Sequence, residues 1–253
     1  MDLALANGML AGYLLALGRT VGFVLVAPPF NTRAVPAQVR GIFAMALAIP
    51  LSTWTSTNPP ELGSDPMLGQ MMLQLLMGVT LGVFVLLAVT AIETIGDLID
   101  VAGGFSITLG MDPLQLVQNS VMGRLHQLIA ITLLFIGDGH LVVLQGLSRS
   151  LQLMPVPVLH LQDVASAIAD GVSGLFLSAV QITAPVLAAL LIADLALGLL
   201  TRAAPALNAF SLAFPLKIML SLLLIGLVLT QVPGALTQFI AKAASSMLQL
   251  AGG

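Results

Sequence analysis

Apolar runs close to the roughly 20 residues a helix needs to cross a bilayer recur along this chain, and proline or glycine cuts them at irregular intervals. Each run must bury its sides in lipid or protein while satisfying its own backbone hydrogen bonds, which restricts the fold to helices. Hydrophobic residues make up 58% of the 253 and charged residues only 8%, too few to solvate an exterior of that size. The chain is therefore expected to be an all-α polytopic membrane protein. Cysteine is absent, which removes disulfides, thiolate nucleophiles and sulfur-ligated metals, and a net charge of -3 gives no hint of nucleic acid. No Lys or Arg precedes the first run and no obvious cleavage site follows it, so that segment is expected to stay on the protein.

Six runs are legible, at about 9–26, 39–50, 68–92, 125–147, 172–200 and 210–232. The first ends at Ala27-Pro28-Pro29-Phe30, and the second, marginal as a span, lies between Pro36 and the polar linker 52–66. Residues 99–118 carry Gly103, Gly104, Gly110 and Asp112-Pro113, which predict a loop or broken element at membrane-like hydrophobicity. Two amphipathic stretches flank the bundle: Leu159, Leu161, Val164, Ile168 and Val172 oppose Gln162, Asp163, Ser166 and Asp170, while Leu236, Phe239, Ile240, Ala243 and Met247 oppose Gln238, Lys242 and Gln249. Either suits a membrane surface or a partner helix. The cations are spread too evenly to fix an orientation.

Charges inside the runs are the sharpest anomaly. Arg19, Asp194 and Lys217 each cost about 2.5 to 3.5 kcal/mol at mid-membrane, so they face protein or water. An ion path, an inter-helix or inter-subunit ion pair, and snorkelling all fit. Glu93, Asp97 and Asp100 share one helix face, as a cation or proton site or, more commonly, a solvated helix end. His126, His140 and His160 lack the spacing of a zinc helix, and no metal or other cofactor is expected. Gly137-Asp138-Gly139-His140 reads as a helix-end turn and not as an aspartyl active site; Ser173 has no placed base, and no phosphate loop occurs. Gly18 with Gly22 and Gly78 with Gly82 form GxxxG pairs that allow close helix approach. Met67, Met71, Met72 and Met77 read as core filling. The junction 199–208, followed by Phe214-Pro215-Leu216-Lys217, puts a proline and a cation where a lone lipid-facing helix would avoid both.

These segments together resemble the FliR family of flagellar export-gate membrane proteins, related to a subunit of type III secretion injectisomes. The likeness runs from Arg19-Thr20-Val21-Gly22-Phe23 and Ala27-Pro28-Pro29-Phe30 through Val35-Pro36, Arg40, Gly103-Gly104, Asp112-Pro113 and Gly139-His140. It continues through Ser150, Pro155, Ala184-Pro185, Asp194, Gly198, Arg202-Ala203-Ala204-Pro205, Asn208-Ala209-Phe210 and Phe214-Pro215-Leu216-Lys217. Residues 184–217 also resemble a small two-helix FliQ-type partner. The acids Asp97 and Asp100 depart from the flagellar pattern and lean toward the injectisome relatives.

The resemblance implies one membrane domain over 1–253, with a FliP-like portion at 1–183 and a FliQ-like hairpin at 184–253, built from broken helical hairpins in a helical hetero-oligomeric gate. It implies no enzyme activity. The implied partners are FliP-like and FliQ-like subunits, FlhB-type and FlhA-type export proteins, unfolded flagellar substrates and the bacterial inner membrane at the flagellar basal body. A central loop at about 105–119 is implied to plug the pore through Phe105, Ser106, Ile107, Thr108, Leu109, Gly110, Met111, Asp112, Pro113 and Leu114, hinged at Gly103 and Gly104. Arg19, Asp194, Arg202, Asn208, Pro215 and Lys217 are the residues expected at a subunit interface or as intramembrane charges. An injectisome gate is the nearest alternative. A stand-alone secondary transporter using Arg19, Asp194 and the acidic stripe is the rival class, with an intramembrane hydrolase last.

Overall fold

The computed structural model describes residues 2–32, 35–55, 65–105, 120–157, 160–203 and 209–252. Among these the chain forms eight principal helices and no strand. They are α1 Asp2–Val26, α2 Ala37–Thr55, α3 Asp65–Gly103, α4 Val121–Ile136, α5 Gly139–Leu153, α6 Leu161–Ala203, α7 Ala209–Leu229 and α8 Val232–Leu250. Three are long and apolar enough to cross a membrane: α1, α3 and α6; the bent pairs α4–α5 and α7–α8 raise the number to as many as five. This is the all-α polytopic architecture the composition predicts, with differences at the breaks.

The fourth apolar run is not one helix. Asp138 adopts φ 54°, in the left-handed region, between Gly137 and Gly139, so α4 stops at Ile136 and α5 starts afresh at Gly139. Asp tolerates that conformation better than a bulky residue, and the flanking glycines weaken any continuous helix. Pro50, expected to close the second run, lies inside α2, which continues to Thr55. There the Thr55 hydroxyl donates to the Gly12 carbonyl at 2.6 Å, so an anchor on α1 outweighs one missing N–H. The stretch 161–172 is no separate surface helix; it is the beginning of the 43-residue α6, which runs on through Pro185.

Two compact units divide the chain. The first comprises 1–88, 135–172 and 238–253. Its centre is a crossing of α1 and α3 in which backbones touch. A Cβ at Gly22 would stand 2.2 Å from the Leu75 carbonyl oxygen, and one at Gly78 2.0 Å from that of Arg19. Gly18 and Gly82 meet Met71 and Phe23 in the same way, so the two GxxxG pairs form one interlock. Leu15, Phe23, Met77, Leu81 and Val85 close around it. Helix α2 is pinned to α1 by hydroxyl bonds, Thr20 to Ala44 at 3.1 Å and Tyr13 to Met45 at 3.4 Å. In the later amphipathic stretch, Phe239, Ile240, Ala243 and Met247 are buried within this unit, and Met247 lies against Gly146 of α5. That apolar face is therefore covered by the chain itself.

The second unit comprises 89–134 and 173–237. Ile92, Ile95 and Ile99 from α3, Ala130 and Leu134 from α4, Ala179, Val186 and Leu190 from α6 and Val228 from α7 are among its buried residues. Burial of this face explains why α3 continues to Gly103, well beyond the end expected near 92. Leu191, Ile192, Leu195 and Leu199 of α6 and Leu222, Leu223 and Leu227 of α7 remain exposed on the chain.

Gly78→Ala is expected to destabilise the chain by about 1–3 kcal/mol through overpacking at the crossing. Gly69→Ala on the same helix, with open space around it, should be neutral or slightly stabilising. Thermal unfolding in detergent compares the two, and equal midpoints would contradict the backbone contact.

Candidate functional site

Three polar constructions stand out against the apolar background. In the first unit, Arg19 is completely buried. Its Nε donates to Gln74 Oε1 at 2.7 Å, Nη1 to Ser150 Oγ at 3.2 Å and Nη2 to the Met154 carbonyl at 2.7 Å. Gln74 Nε2 in turn donates to the Pro155 carbonyl at 2.6 Å, and Ser150 Oγ donates to the Leu147 carbonyl at 2.7 Å. Met154 caps the C-terminus of α5, where unpaired carbonyls concentrate partial negative charge. The cation is thus compensated by a helix end and neutral acceptors, and among the described residues no carboxylate forms an ion pair with it.

The second construction frames residues 106–119, which lie outside the described residues together with most of the expected plug: Ser106, Ile107, Thr108, Leu109, Gly110, Met111, Asp112, Pro113 and Leu114. On the outgoing side α3 ends at Gly103, and Gly104 takes φ 81°, a conformation glycine adopts without strain. A Cβ on Gly103 would lie 2.5 Å from Ser221 Oγ and 3.0 Å from the Phe105 ring, and Phe214 closes over Gly104. On the returning side Ser120 Oγ accepts the Gly123 N–H at 2.8 Å, an N-cap bond for α4. Asp100, fully buried, accepts the Met122 N–H at 3.3 Å.

The acidic stripe is therefore not a solvated helix end. Asp100 and Asp97 face the positive N-terminus of α4, with Asp97 packed against Gly123, and Glu93 accepts a bond from Gln127 Nε2 at 3.0 Å. Arg124 donates to Gln127 and extends the same network. Gly96 brings the backbones together, since a Cβ there would meet the Met122 carbonyl oxygen at 2.3 Å. His126, one turn along α4, donates from Nδ1 to the Met122 carbonyl at 2.8 Å, while its buried Nε2 has no partner.

The third construction joins α6 to α7. Lys217 Nζ lies 2.9 Å from Asp194 Oδ1 and 3.0 Å from Oδ2, with the Lys side chain 18% and the Asp side chain 48% exposed. Arg202 is exposed at the last turn of α6 and Pro215 near the start of α7; Asn208 lies outside the described residues. Of the sequence-selected residues, Asp194 and Lys217 are brought together as a pair, Gly103 and Gly104 lie against Ser221 and Phe214 on the same helix α7 as Lys217, and Arg19 has its own cluster in the first unit. His140 stacks at a tilt on Phe135 with centroids 5.1 Å apart. Among the described residues no three His, Asp or Glu side chains converge as a metal site requires. Gln74, Ser120, Gln127 and Ser221 were not singled out from sequence; an isolated amide such as Gln74 within an apolar run was the available signal.

The sequence signature of the bacterial export proteins, family 1, matches residues 10–243. The chain is 33% identical over 220 residues to the flagellar biosynthetic protein FliR of Bacillus subtilis, covering 84% of each. It is 29% identical over 218 residues to FliR of Pectobacterium carotovorum, covering 85% of this chain and 83% of that one. Similarity extends to the surface presentation of antigens protein SpaR of Salmonella typhimurium, at 23% over 209 residues, covering 80% of this chain and 79% of that one.

Arg19→Lys keeps the charge but cannot reproduce a planar fork serving three acceptors. It is expected to lower stability by about 2–4 kcal/mol. Arg149→Lys, at an exposed position, should change it by no more than about 0.5 kcal/mol. Denaturation in detergent measures both, and matching stabilities would contradict the clasp.

Proposed function

The chain belongs to the bacterial export proteins, family 1, the FliR family, and from that premise we propose that it is a membrane subunit of a flagellar type III protein export gate. Extended similarity to proteins named for flagellar biosynthesis carries this reading, supported by exposed apolar faces on α6 and α7. The lower-identity surface presentation proteins make an injectisome gate the second reading. In the gate the subunit is a non-enzymatic conduit part in the bacterial cell membrane, beside FliP-like and FliQ-like subunits and FlhB-type and FlhA-type proteins. Residues 1–183 act as the FliP-like portion and 184–253 as the FliQ-like hairpin.

Residues 105–114 serve as a plug against leakage while unfolded flagellar proteins are absent, moving about Gly103 and Gly104. Their composition supports this role: Phe105, Ile107, Leu109, Met111 and Leu114 supply apolar sealing surface, and a seal of many weak contacts opens without breaking one strong bond. Asp194, half-exposed beside Lys217, leaves a carboxylate edge for a neighbouring subunit.

Deletion of Ile107 to Met111 should raise ion conductance through the assembled gate, measured in planar bilayers; unchanged conductance would refute the plug. Lys217→Glu should reduce co-purification of FliP-like and FliQ-like partners. The exchanged pair Asp194→Lys with Lys217→Glu should recover the complex only in part, because the outward carboxylate edge stays lost. A full complex with Lys217→Glu would remove the pair from assembly, and solute transport by the purified chain alone would favour the transporter class.

A further inference from the structure

Gly103 and Gly104 are glycine for different reasons. Gly104 takes φ 81°, which a side chain would strain, yet the Phe214 ring atoms nearest to a Cβ there stand 3.6 Å away. Its N–H donates to the Val101 carbonyl at 3.3 Å and closes the last turn of α3. Gly103 is helical, and what it supplies is space: a Cβ would stand 2.5 Å from Ser221 Oγ, with the Phe105 ring at 3.0 Å. Ser221 is buried and its hydroxyl donates to the Lys217 carbonyl at 2.8 Å, so it can yield only by giving up that bond or by moving with its helix.

On α7, Phe214, Lys217 and Ser221 follow one another at spacings of three and four and share a face. Phe214 lies over Gly104 and Ser221 fills the notch at Gly103, so Lys217 leaves α7 between two contacts with the last turn of α3. From there its Nζ reaches Asp194 Oδ1 at 2.9 Å, and at 18% exposure its stem is packed and does not freely follow a displaced backbone.

We infer that Gly103 and Ser221 are positioning residues for the Asp194–Lys217 pair: the last turn of α3 is the seat that places α7 beside α6, and so decides how the half-exposed Asp194 carboxylate is held. The consequence for assembly rests on the proposed role of that carboxylate edge; the seat itself does not.

A water-soluble carbodiimide reads the pair directly. It activates the Asp194 carboxyl, the Lys217 amine attacks, and an amide forms as the reagent departs with the oxygen as a urea. The chain loses the mass of water and gives a cross-linked peptide containing both residues. The purified full chain in detergent should form this product, and Gly103→Ala should lose most of it. Adding Ser221→Ala to Gly103→Ala empties the notch of its hydroxyl and should restore the product, a rescue that a general loss of stability would not allow. Ser221→Ala alone should leave the yield unchanged, as should Gly226→Ala, which has open space around it on the same helix. An undiminished product in Gly103→Ala, or no rescue by Ser221→Ala, would overturn the assignment. Should Gly103→Ala fail to fold, Ser221→Leu presses bulk into the same notch from the opposite side; loss of product supports the seat, and a parental yield overturns it.

Co-purification separates the two ideas. If Gly103→Ala loses the product and regains it with Ser221→Ala while FliP-like and FliQ-like partners stay bound throughout, the seat stands and the role of the carboxylate edge in assembly fails. If Lys217→Glu releases the partners while Gly103→Ala keeps both product and partners, the seat fails and the interface stands.

Discussion

A buried guanidinium held at the crossing of two helices whose backbones touch is the arrangement on which the first unit depends. Arg19 reaches Gln74, Ser150 and Met154 because Gly18, Gly22, Gly78 and Gly82 let α1 and α3 approach without side chains between them. Its charge is tolerable because the acceptors include the C-terminal end of α5 at Met154. Glycine crossing, cation and the C-terminus of α5 are one construction, and loss of any member leaves polar groups buried without partners.

The second unit uses the opposite end of the broken span in the same physical way. Asp100 and Asp97 lie against the N-terminus of α4, where the backbone presents partial positive charge and unpaired N–H groups. The start of α4 and the end of α5 are thus the two outer helix ends of the bent pair, one suited to carboxylates and one suited to a guanidinium. Charges that would be expensive at mid-membrane are met by backbone dipoles, and only Asp194 with Lys217 forms an ion pair among the described residues.

Much of this was readable from the residues. The apolar runs gave the helical class, Pro28-Pro29 and Gly103-Gly104 gave two of the breaks, and the GxxxG spacing gave the close approach. Less was readable where distant partners decide. Pro50 looks like a terminator, yet it sits inside a helix whose far end is held by Thr55 on the Gly12 carbonyl. The acidic stripe looks like a wet helix end because its partner, the start of α4, stands more than twenty residues away in sequence. Ser150 and Met154 lie over 130 residues from Arg19, beyond any periodicity argument. The Phe239 to Met247 face was ambiguous because amphipathicity reports that a face is covered, not by what.

At about 1.5 Å per residue the 39-residue α3 rises close to 58 Å, nearly twice a hydrocarbon core of about 30 Å. Lipid alone cannot surround such a helix, and the apolar residues left exposed on α6 and α7 require further cover of some kind. On the proposed export-gate reading, sister subunits supply it. Photo-labelling with a diazirine on a lipid acyl chain, read at Leu191, Leu195 and Leu199 of α6, compares the assembled gate with the isolated chain. Strong labelling of the isolated chain and protection on assembly is the expected result; equal labelling in both states would contradict it.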